Sequence, residues 1–418
     1  MGTGLGSRLR ALADYDVLAL TALIWFLAKF LRYAFPPLFP TFRDGFGVSN
    51  AALGLAFTAM MTVYAAMQFP SGALADRVGA RAVIVAGAGV AGAGALVLAV
   101  PVPDSLALGV VGGGMLLVGL GTGAHKTVAV RLLSRLYPAR TGRALGVLDT
   151  LGAFGGVAAP AAVVAVTGAT LSGVPGVDWH ALFLVAALAV GGLSLSFLRR
   201  VPGPETDGEA GDDGGVDGGR ASDESDADSL GRYLTLFRRP AFAAFVAVTV
   251  CFSFAYNGAV AFLPLYLTDA AGLAETTASL LYSGLFVVSL VQLVTGDLSD
   301  RVGRLPVIGG TLTLSAAALV GLLAASGALA VGAAVVALGL GCHGFRPVRG
   351  AYLSATIPDD AAGGGLGVVR TLLMGAGALA PAVVGRVADA IDFGAAFGLL
   401  AAAMVAAAAL TGVVAVVE

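Results

Sequence analysis

The feature that most constrains this chain is a series of twelve apolar runs, each about as long as a bilayer core is thick. An α-helix needs about 20 apolar residues to cross the hydrocarbon. Lipid-exposed backbone must satisfy its own hydrogen bonds, and these runs are far longer than barrel strands. We therefore predict an all-α integral membrane protein with twelve transmembrane helices, near 17–40, 48–74, 81–101, 106–134, 144–168, 180–198, 241–267, 277–295, 305–325, 328–356, 362–385 and 393–416.

Composition excludes several other classes of protein. Hydrophobic residues make up 58% of the chain and charged residues 12%, whereas about 25% of a soluble protein is charged. This balance argues against a large soluble enzyme. The two cysteines and three scattered histidines provide neither a disulfide framework nor a metal site. We expect no metal, no cofactor, no nucleic-acid partner and no enzymatic activity.

A glycine-rich segment that ends at Lys126 and Thr127 resembles a phosphate-binding loop but does not match it. His125 occupies the position before the lysine where that loop requires glycine, and no strand precedes the segment. An ATP-driven pump is therefore rejected.

The distribution of basic residues predicts the orientation of the chain. The N-terminus and the even-numbered loops carry sixteen of the 24 lysines and arginines, and the odd-numbered loops carry two, Arg43 and Arg386. Cytoplasmic loops are enriched in basic residues. We therefore expect a multi-pass protein of the plasma membrane with both termini in the cytoplasm, surrounded by lipid and monomeric.

A polar segment separates the twelve runs into two sets of six. Residues 201–231 are rich in Gly, Asp and Ser, a composition typical of disordered linkers. We predict an N-terminal six-helix bundle at 1–200, an acidic cytoplasmic linker at 201–231 and a C-terminal six-helix bundle at 232–418.

The two sets of six share landmarks at a nearly constant offset along the chain. The segment GALADRVG at 72–79 recurs as GDLSDRVG at 296–303. At almost the same offset, Pro160 recurs as Pro381, and Lys126 is matched by Arg346. Such internal repeats allow secondary transporters to open one site to either side of the membrane.

The loop after the second run resembles the signature of the major facilitator superfamily, G-x-L-a-D-R-x-G-R/K, and its degenerate copy follows the eighth run. This resemblance covers the whole chain and implies two pseudo-symmetric bundles around a central substrate cavity. It also implies that the signature cluster latches the outward-facing state. The gating residues would be Gly72, Asp76, Arg77, Gly79, Arg81, Gly296, Asp300, Arg301 and Gly303.

The signature residues also have a direct physical interpretation. Glycine permits a tight turn and a close helix contact, which Gly72 and Gly79 can provide. Asp76 can face a helix N-terminus or a nearby cation, Arg131 or Arg135. The one departure from the family pattern is Ala80, where a basic residue is usual, although Arg81 follows.

Charged residues within the predicted spans are candidates for the substrate site, because charge in hydrocarbon is costly. Lys29, Arg32 and Arg370 lie near the middle of their spans, too deep to reach the surface easily. Lys126 and Arg346 occupy equivalent repeat positions and face either the cavity or the cytoplasmic interface, whereas Arg349 is expected at the interface. The predicted substrate-binding residues are Lys29, Arg32, Lys126, Arg346, Arg370, Gln68, Gln292 and Tyr256.

Asp149 is the one acidic residue inside a predicted span, and two roles are open to it. It either forms a buried pair with a cavity cation or exchanges a proton as substrate binds. Surrounding cations would make it a poor proton carrier, whereas His125 titrates nearer neutrality. Asp149 and His125 are therefore the two candidates for coupling.

The excess of cations predicts a secondary transporter for a small anionic solute, coupled to a proton or sodium gradient or to exchange of another anion. The alternative is a proton-coupled exporter of amphipathic compounds. Against it, the exporter motif G-x-x-x-G-P is incomplete, because Val157 follows Gly156 and the proline comes only at Pro160. An anion channel or a membrane sensor is a further class, and the paired signature loops argue against a channel.

Overall fold

The computed structural model describes residues 15–167, 178–201, 237–356 and 362–418. Within these ranges the chain is helical, and twelve helices are long and apolar enough to cross a membrane, which confirms the predicted fold class. They are α1 Asp16–Phe46, α2 Asn50–Val78, α3 Ala80–Leu98, α4 Asp104–Leu136, α5 Pro138–Thr167, α6 Trp179–Arg200, α7 Pro240–Asp269, α8 Glu275–Val302, α9 Arg304–Ala324, α10 Ala328–Thr356, α11 Ala362–Ala390 and α12 Phe393–Val417.

The predicted linker cannot be compared with the structure. Apart from Val201, residues 201–231 lie outside the described residues. The division into bundles at 1–200 and 232–418 therefore stays a prediction. Helices α1–α6 are called here the first half, and helices α7–α12 the second half.

Three helices are interrupted within their length. Two helical segments, Asp16–Tyr33 and Phe35–Phe46, make up α1, and α4 divides at Ala124. A 3₁₀ turn at Val288–Leu290 interrupts α8. Such breaks change the direction of a helix. The breaks in α1 and α4 directly adjoin the charged residues that these two helices bring into the protein interior.

The two halves contact each other through matching helices. The contacts are α2 against α11, α5 against α8, and the second segment of α1 against α7. Glycines allow the closest approach: a Cβ atom at Gly54 would overlap the Pro381 carbonyl, and one at Gly385 would overlap the Asn50 carbonyl. Small residues are the usual means by which membrane helices pack closely.

The halves are held together at the end of the bundle away from Asp16 and Glu418, here called the closed end. Arg43 forms an ion pair with Asp269 across the halves. The Asp389 carboxylate accepts the backbone N–H groups of Asn50 and Ala51 at 3.1 and 2.7 Å, and the Asn50 amide at 2.8 Å. An acidic residue of α11 therefore caps the N-terminus of α2 in the other half.

Aromatic packing adds to the closed end. Phe39 of α1 is fully buried and contacts Phe262 of α7, with ring centroids 5.5 Å apart. Nearer the opposite end, Asp149 of α5 and Arg370 of α11 are exposed. The halves therefore meet tightly at the closed end, whereas Asp149 and Arg370, nearer the other end, are accessible.

Candidate substrate site

The first segment of α1 places aromatic and basic side chains along one face. Trp25, Lys29, Arg32 and Tyr33 follow one another at spacings of four, three and one along the chain, so they share one side of the helix. Lys29 lies 5.8 Å from the Trp25 ring centroid and 5.9 Å from that of Tyr33. This face points towards α4 and the second half.

Trp25 lies at the centre of three cations, and the four residues together are called here the Trp25 cluster: Trp25, Lys29, Arg32 and Lys126. The Arg32 guanidinium carbon lies 5.4 Å from the indole centroid, and the Lys126 ammonium lies 5.5 Å from it. Cations within about 6 Å of an aromatic ring are attracted by its quadrupole. One indole therefore gathers the basic side chains of two helices.

Arg32 is the most deeply buried of these cations, with 6% of its surface exposed. Its guanidinium lies 4.0 Å from the ring centroid of Tyr64 on α2, and its Nε donates to the Ala28 carbonyl at 3.3 Å. Neither Lys29 nor Arg32 forms an ion pair with a carboxylate of the described residues. Within the described residues, aromatic rings rather than ion-paired carboxylates surround these two charges.

Lys126 forms an ion pair with Asp149 of α5. The side chain of Asp149 is 65% exposed and that of Lys126 is 23% exposed. The pair is therefore open to solvent, in contrast to the buried pair that the sequence suggested.

The second half contributes Arg346, whose guanidinium lies 5.7 Å from the ring centroid of Tyr256. The buried Tyr256 hydroxyl makes no hydrogen bond of ordinary geometry within the described residues. Across the halves, the Tyr33 ring packs on Phe286 of α8 at a centroid distance of 4.6 Å, and the rings of Phe286 and Tyr256 both pack on His343 of α10. These rings connect Arg346 and Tyr256 to the face of α1 that carries the Trp25 cluster.

Arg349, one turn from Arg346, is half-buried between two rings. It lies 6.0 Å from the Phe252 centroid and 5.8 Å from the Phe345 centroid. Arg349, which we expect at the cytoplasmic interface from the sequence, therefore packs against aromatic rings in the structure.

A second polar pair bridges the halves. Arg370 of α11 donates to the side-chain oxygen of Gln68 on α2, and the Gln68 amide lies 3.6 Å from the Met374 sulfur. Gln292, the repeat equivalent of Gln68, instead donates to the Ser289 carbonyl of its own helix at 2.9 Å. The structure thus brings Gln68 and Arg370 together and leaves Gln292 in contact with α8.

His125 lies behind the indole, with 2% of its surface exposed. Its ring stacks on that of Trp25 at a centroid distance of 5.8 Å, and its Nε2 lies 3.1 Å from the Thr21 carbonyl. His125 therefore contacts the cation site through Trp25 and is shielded from the cavity.

The signature loop after α2 forms an ion pair within the first half. Arg131 of α4 binds Asp76 through both guanidinium nitrogens, at 3.0 and 2.6 Å. In the second copy, Asp300 has no ion pair within the described residues. Ala351 stands at the repeat position equivalent to Arg131, which explains the difference.

The signature glycines differ in what they do. Gly79 and Gly303 adopt positive φ angles of 86° and 93° at the turn into the next helix, a conformation that glycine favours. Gly72 and Gly296 leave room for a Cβ atom. Of the signature arginines, Arg81 donates to the Leu198 carbonyl, whereas Arg77 and Arg301 are exposed.

Sequence reasoning missed the two aromatic residues that organise the site, Trp25 and Tyr64. A signal for Trp25 was present, because it is one of two tryptophans and precedes Lys29 by one helical turn and Arg32 by two. No comparable signal marked Tyr64, because its contact with Arg32 depends on how α1 crosses α2. No group of three or more His, Cys, Asp or Glu side chains within the described residues could hold a metal ion.

Two similar six-helix halves with charged and polar side chains between them are typical of a membrane transport protein. The sequence matches the family model of the Major Facilitator Superfamily over residues 21–291 and 266–418. The chain therefore belongs to the major facilitator superfamily of transporters, as its signature loops suggested.

Among characterised relatives, the chain is similar to a protein named "Probable sulfoacetate transporter SauU" from Cupriavidus necator. The two are 25% identical over 311 residues, which span 71% of this chain and 68% of that protein. This similarity extends across most of both chains.

Solved structures share the fold at lower sequence identity. A bacterial homolog of the human lysosomal transporter Spinster, in an inward-facing and unoccupied conformation, has a TM-score of 0.74 and 16% identity, with coverage of 97% of this chain and 96% of that one. A D-xylose–proton symporter has a TM-score of 0.75 and 16% identity, with coverage of 95% and 97%. These matches support the two-bundle architecture.

Proposed function

We propose that this transporter moves a small organic or inorganic anion across the membrane by alternating access. The observation that carries the proposal is the Trp25 cluster, in which three cations surround one ring. Arg346 of the second half adds a charge beside Tyr256, and among the described residues the carboxylate that reaches the cluster, Asp149, is already paired with Lys126. The remaining positive charge is suited to a carboxylate, sulfonate or phosphate group.

In this proposal Lys29, Arg32 and Lys126 bind the anion from the first half and Arg346 binds it from the second. Arg370, Gln68 and Tyr256 line the path between the halves. Gln292 contacts its own helix here, so its part in substrate binding requires a rearrangement of α8 during transport. The similarity to the sulfoacetate transporter supports an anionic substrate, because sulfoacetate is a small organic anion.

Alternating access requires a seal on one side of the site and an opening on the other. Arg43–Asp269 and the Asp389 cap supply the seal at the closed end. The excess of basic residues in the loops at the opposite end favours a cytoplasmic position for the termini. In that orientation the structure represents the inward-facing state, in the plasma membrane.

Coupling to a proton or sodium gradient involves Asp149 in this proposal. Asp149 and the anionic substrate compete for Lys126, so protonation of Asp149 would release the ammonium for the substrate. His125, the other candidate, is shielded by Trp25 and acts on the site through that ring. An Asp149→Asn variant that kept full pH-driven uptake would remove Asp149 from this role.

Counterflow in proteoliposomes tests the proposed function. Vesicles loaded with unlabelled sulfoacetate should take up labelled sulfoacetate transiently against its gradient, because a carrier exchanges substrates and a channel does not. A parallel panel contains sulfate, acetate, phosphate and lipophilic cations. Counterflow with lipophilic cations and with none of the anions would contradict an anion carrier and favour the exporter.

A further inference from the structure

Two residues outside the proposed anion site contact the Trp25 indole: Gly152 at the ring edge and His125 by stacking. A methyl group at position 152 of α5 would overlap the indole Nε1 and Cδ1 atoms, so Gly152 is in direct contact with the ring edge. The buried Nε1 has no hydrogen-bond partner within the described residues. Packing, rather than hydrogen bonding, therefore fixes the position of the ring.

Other contacts complete this support. The His125 ring stacks on the indole with an interplanar angle of 12°. A Cβ atom at Gly155 would overlap the Phe26 carbonyl, so α5 approaches the backbone of α1 directly at this level. With 3% of its surface exposed, Trp25 has little freedom to move relative to α4 and α5.

In contrast to the tightly packed ring, the cations around it belong to flexible side chains. Lys29 and Lys126 have long, flexible side chains whose rotamers are costly to order, and like charges repel one another. The attraction of each cation to the indole opposes that repulsion. A site that is ordered before its ligand arrives binds the ligand more tightly, because less entropy is lost on binding.

We propose that Trp25 is a positioning residue that sets the spacing of Lys29, Arg32 and Lys126, and that Gly152 sets the position of Trp25. The arrangement selects anions whose oxygens reach two or more of these cations at once. A ligand with two acidic groups, such as a sulfonate and a carboxylate, meets this requirement better than a monocarboxylate. This inference rests on the proposed function and specifies its substrate class.

The first experiment uses tryptophan fluorescence. Trp25 and Trp179 are the two tryptophans of the chain, and Trp179 packs among Phe42, Phe46 and Phe183 near the closed end. In a Trp179→Phe protein all tryptophan emission comes from Trp25. Titration with sulfoacetate should change this emission saturably, because the bound anion neutralises part of the positive charge next to the indole.

The second experiment measures affinity in variants. Trp25→Leu should raise the Kd for sulfoacetate about 10-fold, the effect of losing cation–π contacts of ordinary strength, and should reduce the preference for sulfoacetate over acetate. Trp25→Phe keeps an aromatic face and should lie between Trp25→Leu and the parent protein. Gly152→Ala should resemble Trp25→Leu, whereas Gly146→Ala on the same helix, where a Cβ atom meets open space, should leave the Kd unchanged.

The outcomes separate this inference from the function on which it rests. An unchanged Kd and an unchanged selectivity in Trp25→Leu would overturn the positioning role while leaving an anion carrier intact. The positioning role would also be overturned if Trp25 emission in Trp179→Phe stayed constant while sulfoacetate bound measurably. This test does not depend on whether Trp25→Leu folds. Failure of the parent protein to bind any anion of the panel would instead overturn the proposed function.

Discussion

The two halves of this transporter share a fold but distribute charge differently. Trp25, Lys29 and Arg32 of α1 correspond, at the offset of the signature loops, to Thr249, Ser253 and Tyr256 of α7. The residues of α7 are neutral, and Ser253 donates to the Leu373 carbonyl within its own half. A duplicated bundle has thus kept its helices while α1 carries cations at positions where α7 carries neutral residues.

The second half keeps charge at two equivalent positions. Lys126 corresponds to Arg346, and Asp149 corresponds to Arg370. The Arg370 side chain reaches Gln68 of the first half, whereas Asp149 is paired within its own half. In the proposed site, Lys29, Arg32 and Lys126 of the first half and Arg346 of the second half bind the anion, so most of the proposed contacts belong to the first half.

The asymmetry predicts that, among single substitutions, the loss of Arg32 weakens anion binding most. A hydrogen bond to a charged group contributes about 1.5–3 kcal/mol, so Arg32→Ala should weaken anion binding by about 10–150-fold. Its counterpart variant, Tyr256→Phe, removes a hydroxyl without a hydrogen bond of ordinary geometry and should change binding less than about 3-fold. Binding assays in detergent measure both variants. Equal losses would show that the halves contribute alike.

The Lys126–Asp149 pair sharpens the comparison within the first half. Lys126→Gln should weaken anion binding about 10-fold, because it removes a cation and leaves Asp149 as an unpaired negative charge in the cavity. Asp149→Asn should bind the anion at least as tightly as the parent protein. The Lys126→Gln/Asp149→Asn double variant should bind more tightly than Lys126→Gln alone, a coupling that a double-mutant cycle measures. A double variant that binds no more tightly than Lys126→Gln alone would contradict competition between Asp149 and the substrate for Lys126.

At the closed end the acidic groups belong to the second half, whereas the acidic group beside the Trp25 cluster, Asp149, belongs to the first half. Asp389→Ala removes three hydrogen bonds to the first turn of α2, and losing a helix cap costs about 0.5–2 kcal/mol. The open population at this end should rise about 2–30-fold. Spin labels on Gly45→Cys and Ile391→Cys, without the native cysteines, should show a larger long-distance fraction. Asp392→Ala, which removes a cap within the second half alone, serves as the control and should leave the fraction unchanged.

The signature loops give the smallest predicted difference. Asp76 has an exposed ion pair with Arg131, and such pairs contribute little to stability. Asp76→Ala should lower the melting temperature slightly, whereas Asp300→Ala, with no ion pair to lose within the described residues, should leave it unchanged. Thermal unfolding of the purified variants measures both values. An equal decrease for the two would show that the copies are stabilised in the same way.

The number of helices and the duplicated architecture could be predicted from the sequence, because apolar length and repeat spacing are local properties. The sequence leaves two roles open for Asp149, of which one is a pair with a cavity cation, and it does not identify Lys126 as the partner. Its exposure could not be predicted, since it depends on which end of the bundle is closed. The contacts of Trp25 with cations on two helices arise from how α1, α4 and α5 cross, and sequence periodicity alone carries no information on that crossing.

The most direct test of the anion site is thermal stabilisation of the purified protein by a panel of anions, compared with Arg32→Ala. A ligand that binds the folded state raises its melting temperature by mass action. We expect one class of anions to stabilise the parent protein, and we expect this shift to be lost in Arg32→Ala. Stabilisation by lipophilic cations or neutral compounds, with no response to any anion, would contradict the assignment of the Trp25 cluster as an anion site.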